Sequence, residues 1–394
     1  MQLSILKAAA LAAAFQTTSA TPIGARSGGL EVMATTTTAD GRVIDWVVPE
    51  SQTGDQIASA PPAPSNKRGL QTNHASAAIR ALLERDPGAQ GPNGTVPIPR
   101  TSRTTAPKGY PSTQQDASTA KINAATTDYT SQHWYASSGQ AGIDNHGGKG
   151  TFSLFDAFVE HDTDFSLLQL AVVRKNASNA GLGLTTQTVE AGWINYPSQV
   201  SAPHLFSYYT TNGYTANGDN VGGWNREDAG WVQTDSQIYP GFAFTPFSVD
   251  GGDQHEMEIG YQLKDGNWWL WCMDRYIGYY PGSLFSQGVD AADTLADHSN
   301  YLAFYGEIFN SQAALTTTDM GSGEFPDAGK GKSAYIHNIQ YIGTDNSYQA
   351  YNGQGNIQIS DTSRYNMIPS WNSGTNWGSY FYLGGPGAGG QIGA

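Results

Sequence analysis

The chain has 394 residues and a formal net charge of −14, from 20 Lys and Arg against 34 Asp and Glu. That balance argues against a polyphosphate partner such as nucleic acid, since no basic stripe exists to neutralise one. It suits a protein working in acid, where protonation relieves self-repulsion. Only 14% of residues are charged, while 47 Gly, 21 Tyr and 10 Trp favour turns and strands over helices.

At the N-terminus, Lys7 precedes the apolar run Ala8–Phe15 and small residues ending in "TSA". Residues 1–20 therefore read as a cleavable secretory signal whose apolar run is too short to span a bilayer, and the protein is expected outside the cell with no membrane partner. Residues 21–127 lack sustained strand alternation and read as a largely irregular, removable pro-segment with a linker. Within it, "PPAPSNKRG" carries the dibasic pair Lys67-Arg68, a candidate processing site. "HASAAIRALLERD" is the one helical stretch, with Ala77, Ile79, Leu82 and Leu83 as its apolar face. The Pro-rich "GPNGTVPIPRTSRTTAPKGYPS" follows, and Arg100–Lys108 is a second place where conversion could occur. Asn93 and Asn176 open glycosylation sequons, which fit secretion.

From Asp128 the texture changes to short aromatic or β-branched runs bounded by Gly, Asn, Asp or Pro, such as "DFSLLQLAVV", "TVEAGWINY", "HEMEIGYQL" and "YLAFYGEIF". Their regular spacing argues for an all-β sandwich or barrel over residues 128–345. "YQLKDGNWWLW" reads as a hairpin, with Asp265-Gly266 supplying the positive φ angles of a tight turn. Residues 346–394 read as a C-terminal extension with a mobile Gly-rich tail.

Familiar nucleophile motifs are missing: there is no G-x-S-x-G, H-E-x-x-H or P-loop. The single cysteine, Cys272, reads as a buried strand thiol. "EHDTD" and "DGGDQHEME" have oxygen ligands without EF-hand spacing and read as solvated turns, so no metal or other cofactor is expected. A carboxylate pair remains. Alternation puts Tyr301, Ala303, Tyr305, Glu307 and Phe309 on one strand face, and Glu190 on a face with Thr188, Gly192 and Ile194. Two such glutamates in one groove would repel and desolvate each other, leaving one protonated and one ionised in acid. Two ordinary solvent-facing strand glutamates would produce the same pattern.

The strings "QTVEAGW", "DGNWWL", "YIGYYPGSLF", "YGEIFNS" and "TDMGSGEFPDAGKGKSAYIHNIQ", in this order, resemble the neprosin family of secreted glutamic peptidases. "ADGRVIDWVV" and "GPNGTVPIPR" look like that family's activation peptide. The resemblance implies a two-sheet antiparallel, jelly-roll-like β-sandwich, cleavage after proline at acidic pH without a cofactor, and catalytic roles for Glu190 and Glu307. It also implies a zymogen whose own pro-segment is an intramolecular inhibitor. The chain departs from the plant pattern in lacking the family's disulfides, with Trp46 where a cysteine is usual, and in the loop "GWNREDAGWVQTDSQI". Trp193, Tyr208, Trp268, Trp269 and Tyr305 are candidates for an aromatic slot that takes a proline ring. Two rival readings use the same residues: a glycoside hydrolase, or a non-catalytic carbohydrate-binding sandwich.

Overall fold

The computed structural model describes residues 29–54, 56–63, 86–111, 132–353 and 356–389. The signal at 1–20, the pair Lys67-Arg68 and the helical stretch at 74–85 lie outside them. Among the described residues every extended regular element is a β-strand, and only short 3-10 turns interrupt them.

The first three strands add to residues 21–127 a small sheet that the sequence reading did not foresee. β1 (Val32–Thr37), β2 (Val43–Val47) and β3 (Val96–Pro99) form an antiparallel sheet of their own. These strands are too short to show sustained alternation. Pro97 and Pro99 further disguise β3, which tolerates them as an edge strand. Val32, Val47, Val96 and Ile98 make its small core. Trp46 is buried and donates from Nε1 to Thr36 Oγ1 at 2.8 Å.

The remaining strands form one continuous antiparallel sheet, folded on itself along β4 (Gln132–Ser153). Up to Asn145, β4 pairs with β13 (Ser299–Asn310), which leads outward to β5 (Phe165–Asn179), β6 (Gly183–Tyr196), β7 (Val200–Thr210) and β8 (Gly222–Trp224). From Gly147 onward it pairs with β10 (Glu256–Lys264), which leads to β11 (Asn267–Cys272), β12 (Arg275–Pro281) and β9 (Val232–Gln233). The same half of β4 pairs on its other side with β14 (Ala334–Gly343). The turn between the layers is made at Gly147, whose φ is +118° and whose N–H donates to Asn145 Oδ1. A Cβ there would lie 2.1 Å from the Tyr261 carbonyl oxygen, so only glycine lets β4 change layers.

The two layers enclose the main core. Leu168, Leu170, Val172, Val189, Ala191 and Leu205 enter it from the front layer, and Ile259, Tyr261, Leu270 and Tyr280 from the back. This is the alternation of an antiparallel sandwich. The Asp265-Gly266 turn joins β10 to β11 with φ of 49° and 72°, as the hairpin signal required. Cys272 is buried and unpaired, its Sγ 3.3 Å from Met257 Sδ, and burial pushes its thiol pKa up, which makes it inert.

The sheet does not stop where the C-terminal extension was expected to begin. β15 (Tyr348–Ala350) and β18 (Tyr380–Gly384) pair with β14, β16 (Ile357–Ile359) pairs with β4, and β17 (Asn366–Ser370) pairs with β18. Phe381, Leu383, Met367 and Tyr365 belong to the main core. The glycines of "GGPG" are packed rather than loose: a Cβ on Gly385 would meet the Arg364 carbonyl oxygen at 1.9 Å. Sequence reading took Gly density for mobility, when here it permits close backbone approach.

Candidate active site

Because side chains alternate along a strand, the residues of the front layer that do not enter the core line its outer face. On β13 these are Tyr301, Ala303, Tyr305, Glu307 and Phe309; on β6 they are Thr188, Glu190, Gly192 and Ile194. β5 lies between them: Ala171 pairs with both Glu190 and Ala303, and Leu167 pairs with Glu307. The two glutamates therefore share one face, two strands and four register positions apart. Both side chains are fully buried.

A segment of the N-terminal region helps to cover them. Residues 103–111 cross this face, and the Lys108 ammonium lies 2.5 Å from Glu307 Oε2 and 3.2 Å from Glu190 Oε2, itself with no exposed side-chain surface. A buried charge is tolerated only when paired, and here one cation compensates two carboxylates. The neighbouring Gly109 N–H donates to Glu307 Oε1 at 3.2 Å.

Each glutamate has its own retinue. Glu190 Oε1 accepts from Thr188 Oγ1 at 2.8 Å and Tyr214 OH at 2.6 Å; Oε2 accepts from Gln169 Nε2 at 2.6 Å and Tyr305 OH at 3.1 Å. Burial, with the Glu190 charge adding to it, pushes the Tyr214 and Tyr305 phenol pKa values well above the usual range, so both remain donors at any working pH. Glu307 Oε1 meets His133 Nδ1 at 2.7 Å and Tyr135 OH at 3.5 Å. Burial alone would raise the Glu307 pKa, but Lys108 and His133 outweigh it and hold it below the ordinary carboxylate value.

The predicted aromatic residues divide. Tyr305 touches Glu190, and Tyr208 lies on the same face, stacked on Tyr214 at 5.9 Å and edge-on to Trp224 at 5.2 Å. Trp193 and Trp268 do not reach the cleft. They are buried between the layers, where their indole N–H groups donate to Ser153 O and Leu295 O. Trp269 faces the opposite side of the molecule, packed with Val232 and Tyr279 beneath Ile57 and Ala58. These corrections follow from strand parity: Trp193 is an odd number of residues from Glu190, and Trp268 and Trp269 belong to the back layer. Asn93 and Asn176 are both exposed.

Several residues of the site carry no sequence signal of their own. Lys108 and Tyr110 sit in an irregular Pro-rich run, and Tyr214 in a loop. Gln169, His133 and Tyr135 could have been found by asking which polar groups share strand parity facing the glutamates. The loop "GWNREDAGWVQTDSQI" contacts the N-terminal region. Arg226 donates to Gln52 Oε1 at 2.8 Å, Asp228 pairs with Arg103 at 2.6 Å, and the Glu227 carboxylate accepts from Thr104.

Among the described residues no group of three or more His, Cys, Asp or Glu is placed to hold a metal ion. Asp164 of "EHDTD" is instead a buried staple that accepts from Ser311 N–H and Thr316 Oγ1, both at 2.8 Å.

The family model described as Neprosin matches residues 162–386. Among solved structures, the chain is similar to scytalido-glutamic peptidase bound to a peptide-based transition-state analogue, at 7% identity and a TM-score of 0.33 over 65% of this chain and 100% of that one. It is also similar to SCP-B, a member of the eqolisin family of peptidases in complex with the tripeptide Ala-Ile-His, at 7% identity and a TM-score of 0.32, again over 65% and 100%.

Proposed function

This chain belongs to the neprosin family of glutamic-type peptidases, and from that premise we propose that it is a secreted, acid-acting endopeptidase made as a zymogen. It cuts after proline, using a water activated between Glu190 and Glu307. Membership displaces the sugar-hydrolase and carbohydrate-binding alternatives.

The observation that carries this reading is the position of Lys108 Nζ, a single small polar group within bonding distance of both glutamates. Once the pro-segment leaves, that seat is open to a water molecule touching the same two carboxylates. Glu190, held in place by four hydrogen-bond donors, acts as the general base. It takes a proton from the water as the oxygen attacks the scissile carbonyl carbon. Glu307 loses the Lys108 charge on activation, and with it the strongest of the influences that hold its pKa down, so it can carry the proton to be delivered. Its Oε1 faces an amide nitrogen, Gly109 N, which stands where the leaving group would be. Glu307 protonates that nitrogen, the C–N bond breaks, and the proton held by Glu190 returns to Glu307 to close the cycle. Tyr208, Trp224 and Phe165 offer aromatic surface beside this point for a proline ring.

The same contact supports latency. While the pro-segment is docked, an ammonium fills the seat of the nucleophile, and the Arg103–Asp228 and Arg226–Gln52 contacts hold the segment in place. Acid protonates the carboxylates and removes the partner of Lys108.

The test is to express the full-length chain with Glu190→Gln or Glu307→Gln, expose it to acid, and map by mass spectrometry the bonds cut in a complex peptide mixture. Wild type should cut after proline with and without a chelator or an aspartic-protease inhibitor. Each variant should remain folded and lose about a thousandfold or more in rate, the scale of removing one member of an acid–base pair. Near-normal acid activity in either variant would overturn the mechanism.

A further inference from the structure

The pro-segment crosses the cleft as a peptide, and the shape of its seat describes which substrates fit. Resting on the peptidase reading above, we infer that the cleft selects a small residue, glycine best, immediately after the scissile bond and an aromatic residue directly after that.

The register comes from two contacts. Lys108 places its ammonium at the glutamate pair, and the next peptide nitrogen, Gly109 N, lies 3.2 Å from Glu307 Oε1. The 108–109 peptide bond thus occupies the place of a scissile bond, spared because the ammonium fills the seat of the attacking water. Gly109 stands for the first residue of the leaving product, and Tyr110 for the second.

At the first position there is no room. A Cβ on Gly109 would come within 2.0 Å of Tyr135 OH and 2.9 Å of His133 Nδ1. Both side chains also contact Glu307, so displacing them to admit a larger residue would disturb the group that must deliver the proton. At the second position the opposite holds. The Tyr110 ring stacks on Tyr214 at 6.1 Å and 15°, and meets Tyr301 and Tyr305 edge-on, both at 6.4 Å. Ala171, Val173 and Ala303 complete the floor. Such a box of offset and edge-on rings suits an aromatic side chain. Tyr214 and Tyr305 are also donors to Glu190, so a ring seated here packs against the groups that orient the base.

The experiment uses wild-type protein, expressed full-length and converted in acid, with three internally quenched peptides that differ only after a central proline. These carry Pro-Gly-Tyr, Pro-Gly-Ala and Pro-Leu-Tyr. The expected kcat/KM for Pro-Gly-Tyr exceeds each of the others by about tenfold or more, the usual scale for filling or over-filling one apolar pocket. In Tyr301→Ala, which removes one wall of the box, the ratio of Pro-Gly-Tyr to Pro-Gly-Ala falls towards one. Equal cleavage of the three peptides by wild type would overturn the inference while leaving the peptidase intact. If no peptide is cut after acid conversion, the inference falls together with the reading it rests on.

Discussion

Replacing Lys108 by methionine isolates what its charge does, since methionine keeps the length and apolar stem of lysine and deletes the ammonium. In the docked pro-segment that ammonium is the shared partner of two fully buried carboxylates. Breaking a buried ion pair on one side costs about 3–5 kcal/mol, because the remaining charge is left uncompensated. At about 1.4 kcal/mol per pKa unit, this corresponds to roughly two to four pH units in the acidity at which the segment lets go. The direction follows from Glu307, whose pKa lies below its ordinary value while Lys108 is docked. Its contribution to docking is present above the ordinary carboxylate pKa and is lost as pH falls through the lowered one. Wild type should therefore hold its pro-segment at neutral pH and release it only in acid, whereas Lys108→Met should release it closer to neutrality. Intact-mass analysis of the purified full-length chain, held across a pH series, reads the conversion directly. If Lys108→Met converts at the same pH as wild type, the ammonium does not govern latency and this account of the zymogen fails.

Three further outcomes follow from the same geometry. In Tyr214→Phe, Glu190 loses a 2.6 Å donor, and kcat should fall about 10- to 100-fold with KM little changed, as measured by steady-state kinetics in acid. In His133→Ala, Glu307 loses one of the groups that lower its pKa, so the alkaline limb of the pH–rate profile, where it gives up the proton it must deliver, should move to higher pH. An unmoved limb would take Glu307 out of the acid role. Trp193→Ala should act on stability: an indole lost from between the layers costs about 3–5 kcal/mol. Thermal unfolding of the variant should then drop by roughly 10 °C while the cleavage pattern is preserved.

The sequence by itself determined the strands and their parity. "YLAFYGEIF" and "TVEAGWI" could place Glu307 and Glu190 only on faces opposite their core residues, because the side-chain period of a strand is two. The Asp265-Gly266 turn was equally legible, since few residues adopt its positive φ angles. Parity, however, does not say which layer a strand joins. Trp268 and Trp269 therefore looked like cleft residues until β11 was seen in the back layer. Nor does composition reveal that Gly-rich residues 384–389 pack closely, or that the short strands of the pro-segment find one another. Those are long-range pairings decided by what fills the remaining space. Above all, tertiary structure brought Lys108 from an irregular run to a point between two carboxylates 82 and 199 residues further along the chain. A buried charge must find its counter-charge wherever the fold supplies one, and no local pattern records that requirement.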